Sequence, residues 1–323
     1  MSLFPPLSSR SLAVEEAADD TPGPQWQDNS CALDTVLWLA KVLKMFQRRC
    51  DDGFQPHGKF QKLAMTMLRR NWRLATTGEM TKWKDEVSEA WRQESGVVRG
   101  AFQSALPVWE NMVASLPSAS WNEVFAVSCI RKCPIRSKTA KLRSSLEAYS
   151  KEAGNRVQRL EDQSLVVVLN SQFDTYETGH YCQSKCNEKN LPAVAQTRQR
   201  RVVDRLPPIL TVRAVSWDSL LSDEATSFRF YEGTDRVKKI TAAYVPQGLL
   251  LYQPKSRHFI ACYINWARDG SRLKRSGGCV YDGMENKGVP KVYGESDIDR
   301  LLKDGKAKGW AVEAALLSKA DQD

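Results

Sequence analysis

Histidine is scarce in this chain: His57, His180 and His258 are the only three among 323 residues. Chemistry that needs an imidazole must use one of them. Long apolar runs are missing too; none approaches the roughly 20 residues of a membrane span, so no spanning helix is expected. Eight cysteines in 323 residues are far too few for a disulfide scaffold. Their spacing points to metal ligation or catalysis in a reducing compartment. The formal net charge is +9 and the pI about 9.1, yet no block of pure Lys/Arg exceeds a few residues. The charge biases the chain toward acidic partners without marking a nucleic-acid site. Pro5, Pro6 and the acidic run Glu15 to Asp20 do not suit a signal peptide. Cytosol or nucleus is the expected location by elimination. No internal repeat is visible.

What is present is ordinary for a globular protein, with 42% hydrophobic and 26% charged residues. Residues 1–24 mix Ser, Pro and acidic side chains and read as a disordered or extended lead-in. Residues 25–117 read as helical. The segment from Ala32 to Phe46 holds no Gly or Pro and is apolar on nearly every face, so it belongs in a core, with Lys44, Arg48 and Arg49 reaching water. Phe60–Leu74 is a second candidate helix. Met80–Gln93 is a third, with Trp83, Val87, Ala90 and Trp91 at helical spacing, and a shorter one carries Trp109, Met112 and Val113. Residues 118–295 change texture. Val124–Cys129, Leu165–Leu169, Ile209–Val215, Phe228–Tyr231, Ile240–Val245, Leu249–Tyr252 and Phe259–Ile264 are short β-rich runs. Arg136–Glu161 is expected to be a basic, helix-prone insertion and Arg198–Arg205 a solvated linker. Residues 296–323 are expected to form two short helices around Gly305 and Gly309. The fold class is α+β with segregated elements.

The candidate chemistry starts at Cys31. A polar run from Gln25 to Ser30 ends in this cysteine, and the apolar helix follows at once. The dipole and free N–H groups at a helix start favour an anion, which is how a nucleophilic thiol is built. A buried structural cysteine is the alternative. A nucleophilic cysteine needs a base, and the base needs a third group to orient it. His57 sits in a Gly/Pro-bearing loop with no evident partner, and His180 lies two residues before Cys182. His258 opens an alternating β-run after a turn, which makes it the best-placed base. Asp282, after another β-run, is the candidate orienter, with Asn265 as the fallback.

Asp28-Asn29-Ser30-Cys31-Ala32-Leu33-Asp34-Thr35-Val36-Leu37 resembles the Cys box of the ubiquitin-specific proteases, G-N-T-C-Y-M-N-S-x-L. Leu249 to Tyr252 and His258 to Ile264 resemble their His box. Leu206-Pro207-Pro208-Ile209-Leu210 matches the L-P-P-x-L strand before it, and Tyr281-Asp282 stands where the family's Asp follows a W-Y run. The resemblance implies a papain-like cysteine protease fold over residues 25–323, with helical thumb, antiparallel β palm and a fingers-like insertion. It implies Cys31 as nucleophile, His258 as base and Asp282 as orienter. Ubiquitin or a relative would be the partner, cleaved after its Gly-Gly tail by a monomeric enzyme that needs no cofactor for catalysis. The family's oxyanion Asn lies five residues before the cysteine, where this chain has Trp26; Gln25 and Gln27 are the candidate donors instead. Cys31-x-Leu33-Asp34 is closer to the C-W-L-D run of the ubiquitin-specific-protease-like SUMO isopeptidases, and acidic SUMO would suit the charge.

Cys129-x-x-x-Cys133 and Cys182-x-x-x-Cys186 could hold a structural zinc, as paired cysteines do in the fingers of many ubiquitin-specific proteases. His180 could replace one sulfur, and four free thiols are the alternative. Cys50, Cys262 and Cys279 read as buried thiols. Two rival readings are an inactive module that binds a ubiquitin-like tail and a nucleic-acid-associated protein.

Overall fold

A computed structural model describes residues 21–25, 27, 30–129, 136–147, 176–181, 196–203, 205–213, 215, 217–220, 226–232, 238–269, 272–285 and 288–320. In β4, β5, β7, most of β1 and β2, and the start of β8 only the backbone is described. The sequence places helices first: α1 (Cys31–Val42), α2 (Lys59–Arg69), α3 (Thr77–Ser95) and α4 (Ala105–Met112). Every residue of α1 except Lys41 is buried, as a helix apolar all round requires. Lys41 ends the helix by donating from Nζ to the Leu68 and Arg70 carbonyls, 2.8 and 2.7 Å away, so it also closes α2. A capping box starts α3. The Thr76 hydroxyl accepts from the Glu79 amide at 3.2 Å, and the Glu79 carboxylate accepts from the Thr76 amide at 2.8 Å. Gly96 ends α3 in the left-handed region.

The strands follow: β1 (Trp121–Cys129), β2 (Arg136–Arg143), β3 (Leu146–Glu147), β4 (Tyr176–Tyr181), β5 (Gln196–Val203), β6 (Ile209–Arg213), β7 (Thr226–Glu232), β8 (Lys238–Gln253), β9 (His258–Asp269), β10 (Arg272–Tyr281), β11 (Lys291–Gly294) and β12 (Ala311–Lys319). A short helix α5 (Trp217–Leu220) lies between β6 and β7, and α6 (Glu295–Ala307) precedes β12. Among the described residues the sheet runs β11-β10-β9-β8-β7-β5-β1-β2, mostly antiparallel, with β12 joining β8 to β6. The architecture is mixed helix and antiparallel sheet, with the helices ahead of most strands.

Alternation along the central strands decides where the core sits. Leu250, Ala261, Cys279, Ala314 and Leu316 join a cluster with α1–α4, whereas Leu249, Leu251, Cys262, Ala315 and Leu317 join another with Ile298 and Leu302 of α6. Neighbouring residues point to opposite faces of a strand, so the centre of the sheet is buried on both. Helix α1 lies against β9, and the Thr35 hydroxyl donates to the Phe259 carbonyl at 3.3 Å.

Several expectations need correction. Residues 311–319 form a strand and not a second helix. Six consecutive buried or half-buried positions, Val312 to Leu317, leave no polar face, and β12 fills the gap between β6 and β8. Arg136–Arg143 is a strand paired with β1, and most of Arg198–Arg205, expected to be a solvated linker, belongs to β5, which pairs with β1 on its other side; pairing overrides local propensity here. Ile240–Val245 and Leu249–Tyr252 are one strand, because a register irregularity between Leu316 and Leu317 of β12 accommodates Pro246. Helix α2 stops at Arg69, and residues 72–74 form a separate 3₁₀ turn. Thr21, Gly23 and Pro24 are buried, so the lead-in ends before them. Cys50 is exposed, unlike Cys262 and Cys279. Residues 1–20 and Leu165–Leu169 lie outside the described residues.

Candidate active site

Cys31 is the first residue of α1, buried to 6% exposure, where the opening N–H groups of a helix have no partner within it. His258 opens β9 directly after the β8–β9 turn, in which Arg257 has a φ of 53°. Asp282 follows β10. Since β8, β9 and β10 are successive antiparallel neighbours, the start of β9 and the end of β10 meet at one sheet edge. Packing α1 on β9 brings its N-terminus to the same edge.

There His258 donates from Nε2 to Asp282 Oδ1 at 2.9 Å, with the two side chains 13% and 19% exposed. The same Oδ1 accepts the Met284 amide at 2.9 Å, which fixes the carboxylate in its turn. Cys31 is the other group that acts on the ring, close enough for its side chain to favour the protonated imidazole. Burial works against a charged ring, but hydrogen bonds to Asp282 and Cys31, followed by their charges, outweigh it and push His258 up to about 9. At neutral pH the ring carries its proton. Such a Cys–His pair can supply a nucleophile and then a proton to a leaving group.

The segment before Cys31 is stitched to this edge. The Gly23 amide donates to the Gly288 carbonyl at 2.7 Å, and Trp38 Nε1 donates to the Thr21 carbonyl at 3.0 Å. The Tyr281 hydroxyl donates to the Pro24 carbonyl, and the Tyr281 ring stacks on Trp38 with centroids 5.1 Å apart. A Cβ at Gly23 would lie 2.2 Å from the Tyr281 ring, so only glycine lets the chain pass.

Gln25 is half-buried and Gln27 exposed; the Gln27 amide donates to Ser30 Oγ at 3.0 Å. Trp26, Asp28 and Asn29 lie outside the described residues, as do Cys133, Cys182 and Cys186. Of Cys129 and His180 only the backbone is described, in β1 and β4. Among the described residues no three His, Cys, Asp or Glu side chains form a metal-sized group. His57 is remote from this chemistry: its amide donates to Gln61 Oε1 at 2.8 Å and its ring meets Phe54 edge-on. Asn265 lies on β9 roughly 20 Å beyond His258, at ~3.3 Å per residue, so it is not the group that meets the ring.

Sequence reasoning missed three features. Asp34 is wholly buried, and burial pushes its carboxyl up to about 7 despite Lys84 and a hydrogen bond from Ser30. Lys84 itself is 1% exposed. Phe102 is 43% exposed and stacks over Phe259 and against Tyr252, next to His258. Signals for the first two existed: one carboxylate in an otherwise apolar helix, and one lysine four after Met80 and three before Val87, on the buried face of α3.

No protein-family model matches this chain, and no curated protein matches its sequence. Solved structures do. Against a chain of the SAGA Ubp8/Sgf11/Sus1/Sgf73 DUB module bound to ubiquitin aldehyde, it aligns with a TM-score of 0.55 at 10% identity, over 96% of this chain and 71% of that one. Against a chain of the module bound to monoubiquitin the TM-score is 0.56 at 9% identity, over 98% and 73%. The likeness establishes a shared fold. Among the described residues no helix is long and apolar enough to cross a membrane.

Proposed function

We propose that this chain is a cysteine-type isopeptidase that cleaves the bond after the C-terminal Gly-Gly of ubiquitin. The observation that carries the reading is the 2.9 Å hydrogen bond from the His258 ring to Asp282, with Cys31 acting on the same ring, at a sheet edge of a fold shared with a ubiquitin-bound DUB module. In this reading α1–α4 form the thumb, β8–β12 the palm, and β1, β2, β4 and β5 the fingers. The enzyme is favoured over an inactive binding module because Asp282 holds His258 at the end of the sheet where Cys31 acts on the ring.

The chemistry then runs in two halves. The Cys31 thiolate attacks the terminal glycine carbonyl, and the oxygen takes up negative charge. The Cys31 backbone N–H at the start of α1 and a side-chain amide donate to that oxygen. Gln25 is the preferred donor, since it is half-buried with its carbonyl held by Lys84, while Gln27 faces solvent. His258 passes its proton to the departing lysine amine, leaving a thioester. Water, deprotonated by the now neutral ring, releases the ubiquitin carboxylate and restores the thiol. Asp282 keeps the ring turned toward sulfur throughout.

Labelling with ubiquitin and SUMO carrying a C-terminal electrophile, in parallel, tests the proposal. Ubiquitin should form an adduct that Cys31→Ala and His258→Ala each abolish. An adduct with SUMO alone would transfer the reading to a SUMO isopeptidase of the same fold. No adduct with either, in folded protein, would sink it.

A further inference from the structure

The run between Gln25 and Cys31 has to present an oxyanion donor, and in this chain it is anchored from a distance. Lys84 of α3, 1% exposed, donates from Nζ to the Gln25 carbonyl at 2.5 Å and stands 3.9 Å from Asp34 Oδ1. That carboxylate oxygen accepts no hydrogen bond among the described residues, so the ammonium is its counter-charge. The other oxygen, Oδ2, accepts the Ser30 hydroxyl at 2.5 Å. Ser30 Oγ in turn accepts the Gln27 amide at 3.0 Å, while the Ser30 amide donates to the Gln27 carbonyl at 2.9 Å. One buried cation therefore holds both ends of the loop: Gln25 directly, and Gln27 and Ser30 through Asp34. The Asp282 turn leans on the same cluster, because a Cβ at Gly283 would lie 3.5 Å from Asp34 Oδ2 and 3.2 Å from the Tyr281 hydroxyl.

A buried ion pair is a poor way to gain stability, since desolvating two charges offsets their attraction. An apolar pair would fill the space at lower cost. What the charges do supply is a fixed direction, because the ammonium can satisfy a carbonyl on the loop and a carboxylate on α1 only in one arrangement. We infer that Lys84 is a positioning residue for the reaction: through the Gln25 carbonyl and Asp34 it sets the loop that stabilises the oxyanion. The inference rests on the isopeptidase reading above. It adds a residue about 50 positions from the nucleophile, on another helix, whose removal acts on turnover and not on substrate binding.

The test uses wild-type protein, Lys84→Met, and the double variant Lys84→Met/Asp34→Asn, with kcat and KM measured on ubiquitin bearing a C-terminal fluorogenic amide. Lys84→Met should lower kcat about 100-fold, the size of effect a 1 Å misplacement or a lost oxyanion donor produces, with KM within about 3-fold. Lys84→Met alone also leaves Asp34 buried without its counter-charge, so its Tm should fall. The double variant removes that stranded charge while an amide oxygen still accepts from Ser30. Its Tm should rise back toward wild type while kcat stays about 100-fold low, because the Lys84 ammonium no longer orients the Gln25 carbonyl. If kcat recovers together with Tm, Lys84 serves stability alone and the inference is overturned. A loss that falls mainly on KM would overturn it too. If wild type neither turns over nor forms the ubiquitin adduct, the isopeptidase reading fails first and takes this inference with it.

Discussion

Asp282→Asn probes the charge that holds His258 protonated. The amide still offers an oxygen to the ring N–H and to the Met284 amide, so the change removes charge and little else. In the native protein burial pulls His258 down, and the hydrogen bonds and charges of Asp282 and Cys31 carry it up to about 9, against an ordinary 6.5. That gap of about 2.5 units corresponds to roughly 3 kcal/mol at 1.36 kcal/mol per unit. Part of it belongs to Cys31 and part is screened where the ring meets water, so about 2 kcal/mol falls to Asp282. A raised histidine contributes stability that is fully present below pH 6.5 and is lost as pH rises through about 9. Urea denaturation should therefore show Asp282→Asn less stable by about 2 kcal/mol at pH 6 and nearly equal to wild type at pH 10. The rate of adduct formation with the ubiquitin electrophile should have its basic limb near pH 9 in wild type. In the variant that limb should move below pH 8 and the rate at pH 7.5 fall about 30-fold, the kinetic equivalent of ~2 kcal/mol. An equal stability loss at pH 6 and pH 10, or an unmoved basic limb, would refute the reasoning.

Two further outcomes follow from buried and half-exposed groups. Asp34 is held near 7 by burial, so ionising it weighs against the fold progressively from its ordinary 3.8 up to about 7. In denaturant titrations the difference in stability between Asp34→Asn, which cannot ionise, and wild type should move about 2–3 kcal/mol in the variant's favour as pH rises from 5 to 8, on top of a pH-independent loss from leaving Lys84 without its counter-charge; a difference that does not change with pH would contradict this. Phe102 caps Tyr252 and Phe259 beside His258 with 43% of its surface open. Phe102→Ala should raise KM for a ubiquitin substrate about 3–10-fold, a partial loss of one aromatic side chain's burial, with kcat within about 2-fold; an unchanged KM would remove Phe102 from the substrate's path.

The helix that begins at Cys31 was legible in the sequence because its signal was local: a polar run, a cysteine, then apolar residues on every face. His258 and Asp282 were legible for a related reason, since each sits where a β-run begins or ends and only three histidines compete. The misread strands were cases in which a distant partner decided the outcome. Ala311–Lys319 carries helix formers and becomes a strand only because β6 and β8 leave a slot between them. Basic residues 198–203 look like linker until β1 pairs with them. Lys84 carries no local signal beyond its phase with Met80 and Val87, which turns it inward. Its partners, the Gln25 carbonyl and Asp34, lie 59 and 50 residues away, and no local pattern could name them.

Peptide mapping of the ubiquitin adduct tests the central claim most directly. The chain has eight thiols, and Cys50 is exposed whereas Cys31 is buried to 6%. Among the described cysteines, a probe that reacted by accessibility would choose Cys50. Reaction through the hydrogen-bonded pair with His258 predicts that the modified peptide contains Cys31 and no other labelled thiol. Label on Cys50, or label spread over several cysteines and insensitive to His258→Ala, would contradict the account.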